Sequence, residues 1–259
     1  MTTHQHHEHH EHGTHHTEHA HHAHHGAPQG LAASDQGFTL VPETVGLTGE
    51  FTFRITDADG KPVTAYEPQH EALLHLIVVR RDLSGYRHVH PELGADGTWR
   101  VATPFDGPAD YHAYADFKAA GADPLTLGVD LAIPGESTAR PLPEPAATAE
   151  VDGYTVTLAG ELVAGQGAPL TFTVTRDGAP VADLQPYLAA YGHLVALRAA
   201  DLAYLHVHPN GEPGDGTTEP GPDITFHAVA PTAGPYRLYL DFKHGDRVHT
   251  AEFTAVAGD

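Results

Sequence analysis

Apolar and polar positions alternate along this chain in short runs. FTFRIT (51–56), YTVTLAG (154–160) and LTFTVT (170–175) are rich in Phe, Val, Ile, Tyr and Thr and follow a two-residue rhythm. That rhythm predicts β-strands with one face turned to a core. LHLIVV (74–79) is apolar at nearly every position and predicts a further strand. Asp59-Gly60, Asp96-Gly97 and Asp177-Gly178 supply turn chemistry between the runs. With 27 Gly and 21 Pro, windows long enough for a helix of several turns are interrupted. The expected class is all-β.

The pattern occurs twice. His75, Arg80, Tyr86, His88, His90 and Pro91 recur 118 positions later as His193, Arg198, Tyr204, His206, His208 and Pro209. Asp116 and Lys118 recur after 125, as Asp241 and Lys243, because the loop at 211–222 is longer than its counterpart. An internal duplication of this length predicts two tandem sandwiches of immunoglobulin-like or cupredoxin-like type. The expected divisions are a disordered His-rich tail (1–30), a first repeat (31–137), a Pro/Ala-rich linker (138–149) and a second repeat (150–259).

Strand geometry gives the repeated histidines a chemistry. Residues two apart share a face, so His88 and His90 point the same way. The preceding strand, His75 to Arg81, is joined to them by DLSG (82–85), which suits a hairpin. Paired residue numbers in an antiparallel hairpin have a constant sum. Placing His75 opposite His88 gives a sum of 163, and opposite His90 a sum of 165. These have the same parity, so either register gathers three imidazoles on one face. Opposed Cβ atoms lie about 4.5–5.5 Å apart and diagonal ones about 7–8 Å, within reach of one ion. His193, His206 and His208 repeat the arrangement with sums of 399 or 401. Three imidazoles suit Zn²⁺, Cu²⁺ or Ni²⁺. The strand bearing Asp116 or Asp241 offers a fourth ligand, with Tyr114 or Tyr239 on its face. Neutral imidazole is the ligand, so occupancy is expected to fall as pH drops through about 6.5. The plainer alternative makes these histidines structural, each bonded to a nearby carbonyl. His70, His112, His227, His244 and His249 have no repeated counterpart and are expected at the surface.

Composition narrows the classes further. A formal charge of −21 argues against nucleic acid and against anionic membrane surfaces. No apolar run reaches the length of a membrane span, and no basic-then-apolar leader is present, so a cytoplasmic protein is expected. Cysteine is absent, which excludes thiolate ligands, blue copper and Cys nucleophiles. Thirteen of the 24 histidines crowd the tail: His4, His6, His7, His9, His10, His12, His15, His16, His19, His21, His22, His24 and His25. So polar a segment cannot fold alone and is expected to collect divalent transition metals loosely. Removal of Met1 would leave Thr2-Thr3-His4, a four-nitrogen square-planar site for Cu²⁺ or Ni²⁺. Asp57-Ala58-Asp59-Gly60 lacks the glutamate spacing of a Ca²⁺ loop and predicts a hairpin turn. Asp215, Glu219 and Asp223 fall in a Gly/Pro-rich loop, and no nucleophile-elbow, phosphate-loop, zincin or dinucleotide motif occurs.

The strings HLIVVRRDLSGYRHVHPE and GHLVALRAADLAYLHVHP resemble a bacterial family of small β-sandwich domains. Its pattern is a His-Leu-Val-type strand, a short Asp-Leu loop, then His-x-His-Pro. These are the YtkA-like and heavy-metal-binding-domain-associated proteins, some of them tandem. The resemblance covers nearly all of 31–259 and implies an Ig-like sandwich linked to copper or heavy-metal handling. It implies no enzymatic activity. The Cys-containing segment attached to some such domains has no counterpart here, and the His-rich tail is expected to take its place. The leading expectation is a non-enzymatic protein that buffers, stores or delivers a divalent metal, with a metal-handling protein as a candidate partner. A protein-binding module with structural histidines and a three-His metalloenzyme are the alternatives.

Overall fold

The computed structural model describes residues 29–205 and 207–259, with His208 through its backbone only. The histidines of the tail, the Thr2-Thr3-His4 site and the expected tail disorder lie outside the described residues.

The first repeat runs β1 (Ser34–Asp35), β2 (Phe38–Thr44), β3 (Glu50–Thr56), β4 (Leu74–Arg80), β5 (Arg87–Val89), β6 (Glu92–Leu93), β7 (Thr98–Ala102), β8 (Ala109–Phe117) and β9 (Leu125–Ile133). The second runs β10 (Thr148–Val151), β11 (Tyr154–Ala159), β12 (Gly167–Arg176), β13 (Ala179–Pro180), β14 (Gly192–Arg198), β15 (Tyr204–Leu205), β16 (His208–Pro209), β17 (Asp223–Val229), β18 (Gly234–His244) and β19 (Arg247–Ala257). No helix occurs among the described residues.

Each repeat is a two-sheet sandwich. In the first, β1-β2-β3-β7-β6 faces β5-β4-β8-β9; in the second, β10-β11-β12-β17-β16 faces β15-β14-β18-β19. Taking β2, β3, β7 and β6 as A, B, E and D, and β5, β4, β8 and β9 as C′, C, F and G, gives the immunoglobulin strand order. The tyrosine corner at the start of F is present twice. Tyr111 Oη donates to Gly107 O at 2.9 Å and Tyr236 Oη to Thr232 O at 2.8 Å. Alternation fills the cores as the sequence predicts: Phe51, Phe53 and Ile55 are buried, while Thr52 and Arg54 between them are less so.

The two sandwiches pack on each other through their C′CFG sheets. β4 is buried on both faces, which explains its unbroken apolar run. Leu74, Leu76 and Val78 enter the core of the first repeat. Ile77 and Val79 face the second repeat, where they join Tyr86 and Tyr114 in one cluster with Val195, Leu197 and Tyr239. The interface has an internal pseudo-two-fold. Tyr114 Oη donates to Leu202 O at 2.5 Å, and Tyr239 Oη donates to Leu83 O at 2.6 Å.

The connecting segments tie into this interface. Arg140 N donates to Asp82 Oδ2 and Arg80 Nη2 to Ser137 Oγ, both at 2.8 Å. β10 starts at Thr148, inside the stretch expected as linker. Gln29 and Gly30, expected to belong to the tail, instead bridge the repeats. Tyr204 N donates to Gln29 O and Gly30 N to Thr126 O. A Cβ at Gly128 would fall 1.7 Å from Gly30 O, so this docking requires glycine there.

Candidate metal centre

The β4–β5 hairpin pairs Leu76 with Val89 and Ile77 with His88, a register sum of 165. The corresponding β14–β15 pairing, Ala196 with Leu205, sums to 401. Each is one of the two registers expected. The parity therefore puts His75 and His88 on the face of the sheet that looks towards the second repeat. His90 follows just beyond the end of β5.

His75, His88 and His90 form a cluster in which one nitrogen from each ring lies within 4.8 Å of the others. His75 Nδ1 is 3.0 Å from His88 Nε2 and 3.2 Å from His90 Nε2. The outer nitrogens fix the tautomers. His75 Nε2 lies 3.0 Å from Gln69 O, and a carbonyl can only accept, so Nε2 carries the proton. His88 Nδ1 donates to Asp241 Oδ2 at 2.9 Å. In neutral rings, His75 Nδ1 and His88 Nε2 then present lone pairs to one another. That juxtaposition is repulsive unless a cation sits between them.

Asp241 comes from β18 of the second repeat, so a cluster whose three imidazoles belong to the first repeat is braced from across the interface. Its Oδ1 accepts from Thr250 Oγ1 at 2.6 Å, and Tyr86 Oη approaches Oδ2 at 3.4 Å. Tyr86 in turn stacks on Tyr239, ring centres 4.1 Å apart. His193, the counterpart of His75, has its ring centre 6.5 Å from His75 and 6.3 Å from His88. His193 Nε2 donates to Tyr187 O at 2.8 Å, the same arrangement as His75 with Gln69. Asp116 lies opposite His75 in the β4–β8 register and is buried. His206 lies outside the described residues, as does the side chain of His208.

Burial lowers the pKa of His75 to about 3, and the neighbouring imidazoles push it the same way. Burial also lowers His90 and His193 to about 4 each. All three rings are neutral at pH 7, and protons compete for them only well below the pH of about 6.5 expected from free imidazole. Burial acts oppositely on Asp116, raising its carboxyl to about 6.

Some of the histidines expected at the surface are elsewhere. His112 is buried between Asp130 Oδ1 and Gly30 O, each 2.7 Å away. His249 is buried against Asp152 Oδ2 at 2.7 Å. Both are interior because a carboxylate from another strand or turn meets the ring. His70 is exposed, yet its ring centre lies 5.5 Å from that of His193. The acidic loop turns on itself, Asp215 Oδ1 accepting from Thr217 N and Thr218 N. Asp57 Oδ1 accepts from Asp59 N and Lys61 N, making the expected turn.

No helix of the described residues is long and apolar enough to cross a membrane. No curated protein sequence matches this chain. Among solved structures, it is similar to the Yersinia pseudotuberculosis adhesin InvE, at 14% identity over 88% of this chain and 60% of the adhesin, with a TM-score of 0.25. A Salmonella alpha-2-macroglobulin matches at 15% identity over 88% of this chain and 15% of that protein, TM-score 0.27. The D00-D0 domain of intimin matches at 11% identity over 86% of this chain and 100% of that domain, TM-score 0.26. At such TM-scores these likenesses carry no argument about function. A family model matches both sandwiches, at residues 35–129 and 149–258, and this chain therefore belongs to the family described as a domain of unknown function, DUF8832.

Proposed function

We propose that this protein binds a divalent transition metal ion at the His75–His88–His90 cluster and serves to buffer, store or deliver it. The facing lone pairs of His75 Nδ1 and His88 Nε2, 3.0 Å apart, carry this reading. Three nitrogens about 2.0 Å from a tetrahedral ion would be about 3.3 Å from each other, close to the observed 3.0 and 3.2 Å. The outer contacts fit as well. Metal-bound histidines donate their second nitrogen to a carbonyl or carboxylate, as His75 does to Gln69 and His88 to Asp241. Asp241 is thus a positioning residue for His88. The repeated residues around His193 supply a second set of donors, and the tail histidines a loose collecting segment. The resemblance to heavy-metal-binding-associated domains agrees with this role, and a metal-handling protein would be the recipient.

A cavity of about 40 Å³ adjoins the cluster, lined by His75, His88, Asp116 and His193 among others. The structural alternative has one specific observation behind it: a proton held between His88 and His75 would satisfy the same nitrogens. Metal analysis separates the two. Full-length protein with the thirteen tail histidines replaced by serine, purified without a nickel column, should retain stoichiometric metal, and His88→Ala should lose it. A metal-free protein that refuses added Zn²⁺, Cu²⁺ and Ni²⁺ would favour the shared proton.

A further inference from the structure

Residues 29–32 cross the seam between the two sandwiches as a short strap. At one end Tyr204 N, in β15 of the second repeat, donates to Gln29 O at 3.0 Å. Further along, Gly30 N donates to Thr126 O at 3.2 Å and Ala32 O accepts from Gly128 N at 2.9 Å, which ties the strap to β9 of the first repeat. His112 latches the middle. Its Nε2 lies 2.7 Å from Gly30 O, and a carbonyl can only accept, so Nε2 donates. Asp130 Oδ1 lies 2.7 Å from Nδ1 on the other side of the ring and also accepts from Arg81 Nη1 at 2.6 Å.

Little else holds the strap. Gln29 and Ala32 are exposed, and Gly30, which is buried, has no side chain to bury. Yet its anchors stand on two walls of one cavity. Tyr204 lines the cavity beside the imidazole cluster, and so does Asp116, the partner of Thr126 in the β8–β9 register. Each repeat supplies one of these walls.

We propose that the strap, latched by His112, is a gate on the seam that controls passage of the metal ion to and from the cluster. The proposal rests on the metal-binding reading, which supplies what the gate admits. A segment held by a few backbone bonds and little buried apolar surface opens at low cost. When it lifts, β15 loses its tie to β9 and the cavity opens along the seam. A gate that closes alike over the filled and the empty site speeds or slows entry and exit by one factor, and leaves affinity unchanged.

Stopped-flow uptake of Zn²⁺, and its release into excess chelator, test this on full-length protein with the tail histidines replaced by serine. His112→Ala removes the latch. Gly128→Ala expels the strap by another route, since its Cβ would fall 1.7 Å from Gly30 O, and it keeps the test valid if His112→Ala fails to fold. Losing a hydrogen bond of ordinary strength shifts opening by about tenfold, so both variants should speed uptake and release about tenfold with Kd unchanged. The amides of Gly128 and Tyr204 should lose their protection from hydrogen exchange in the same variants. Faster release with unaltered uptake would make the strap a brace on the ion and overturn the gate. Unaltered rates beside freely exchanging amides would overturn the gate and leave the metal site standing. Amides that stay protected in both variants would overturn the latch. A protein that takes up no Zn²⁺ would overturn the metal site, and the gate with it.

Discussion

At the scale of single residues, the centre depends on nitrogen atoms whose roles are set by their outer partners. Asp241 is nearly inaccessible, and its Oδ2 holds the His88 ring with Nε2 turned inward. Asp241→Asn keeps the shape but weakens that hold, and should lower metal affinity about 10–100-fold, measured by competition with a chelator. Acidity acts on the same residues. His75, His90 and His193 have folded pKa values of about 3, 4 and 4. The unfolded chain, near 6.5, binds more protons in between, so folding stability is lost as pH falls from about 6.5 towards 4. Asp116, raised to about 6, works the other way, since its folded form holds the extra proton. Three imidazoles shifted by at least two units each outweigh one carboxyl shifted by about two. Metal-free protein should therefore melt at a clearly lower temperature at pH 4.5 than at pH 7.5. An unchanged or higher melting temperature in acid would mean these rings are not buried and neutral.

At the scale of elements, strand rhythm and hairpin parity are legible in the sequence. The two-residue period limits each hairpin to one of two registers, and in either one parity puts His75, His88 and His90 on one face. Less legible was the object that face meets. The signal was present in LHLIVV and YHAYADF, whose apolar character on both sides exceeds what a one-sided sandwich strand needs. The tyrosines in YHAYADF and YRLYLDF are the other half of it. Tyr114 and Tyr239 each send a hydroxyl to a buried carbonyl of the opposite repeat. Tyr239→Phe would leave Leu83 O unpartnered at the interface and should cost about 1–3 kcal/mol in urea unfolding. A loss near zero would mean water replaces the hydroxyl there. His112 and His249 escaped the sequence reading because their carboxylate partners, Asp130 and Asp152, are brought in by strand pairing and a turn that spacing does not reveal.

At the scale of the whole molecule, duplication is more than repetition. Two immunoglobulin-like sandwiches bury their C′CFG sheets together, and the pseudo-two-fold between them brings His75 and His193 to the same place. Asp241 of the second repeat orients His88 of the first, so the second sandwich braces a cluster whose three imidazoles the first supplies. Gln29 and Gly30 close the same seam. The claim that the cluster is a three-imidazole metal site is tested most directly by X-ray absorption on tail-substituted protein loaded with one equivalent of Zn²⁺. Scattering from three imidazoles with nitrogen at about 2.0–2.1 Å is expected, falling to two in His88→Ala. An oxygen-only shell, or a spectrum that His88→Ala leaves unchanged, would contradict it.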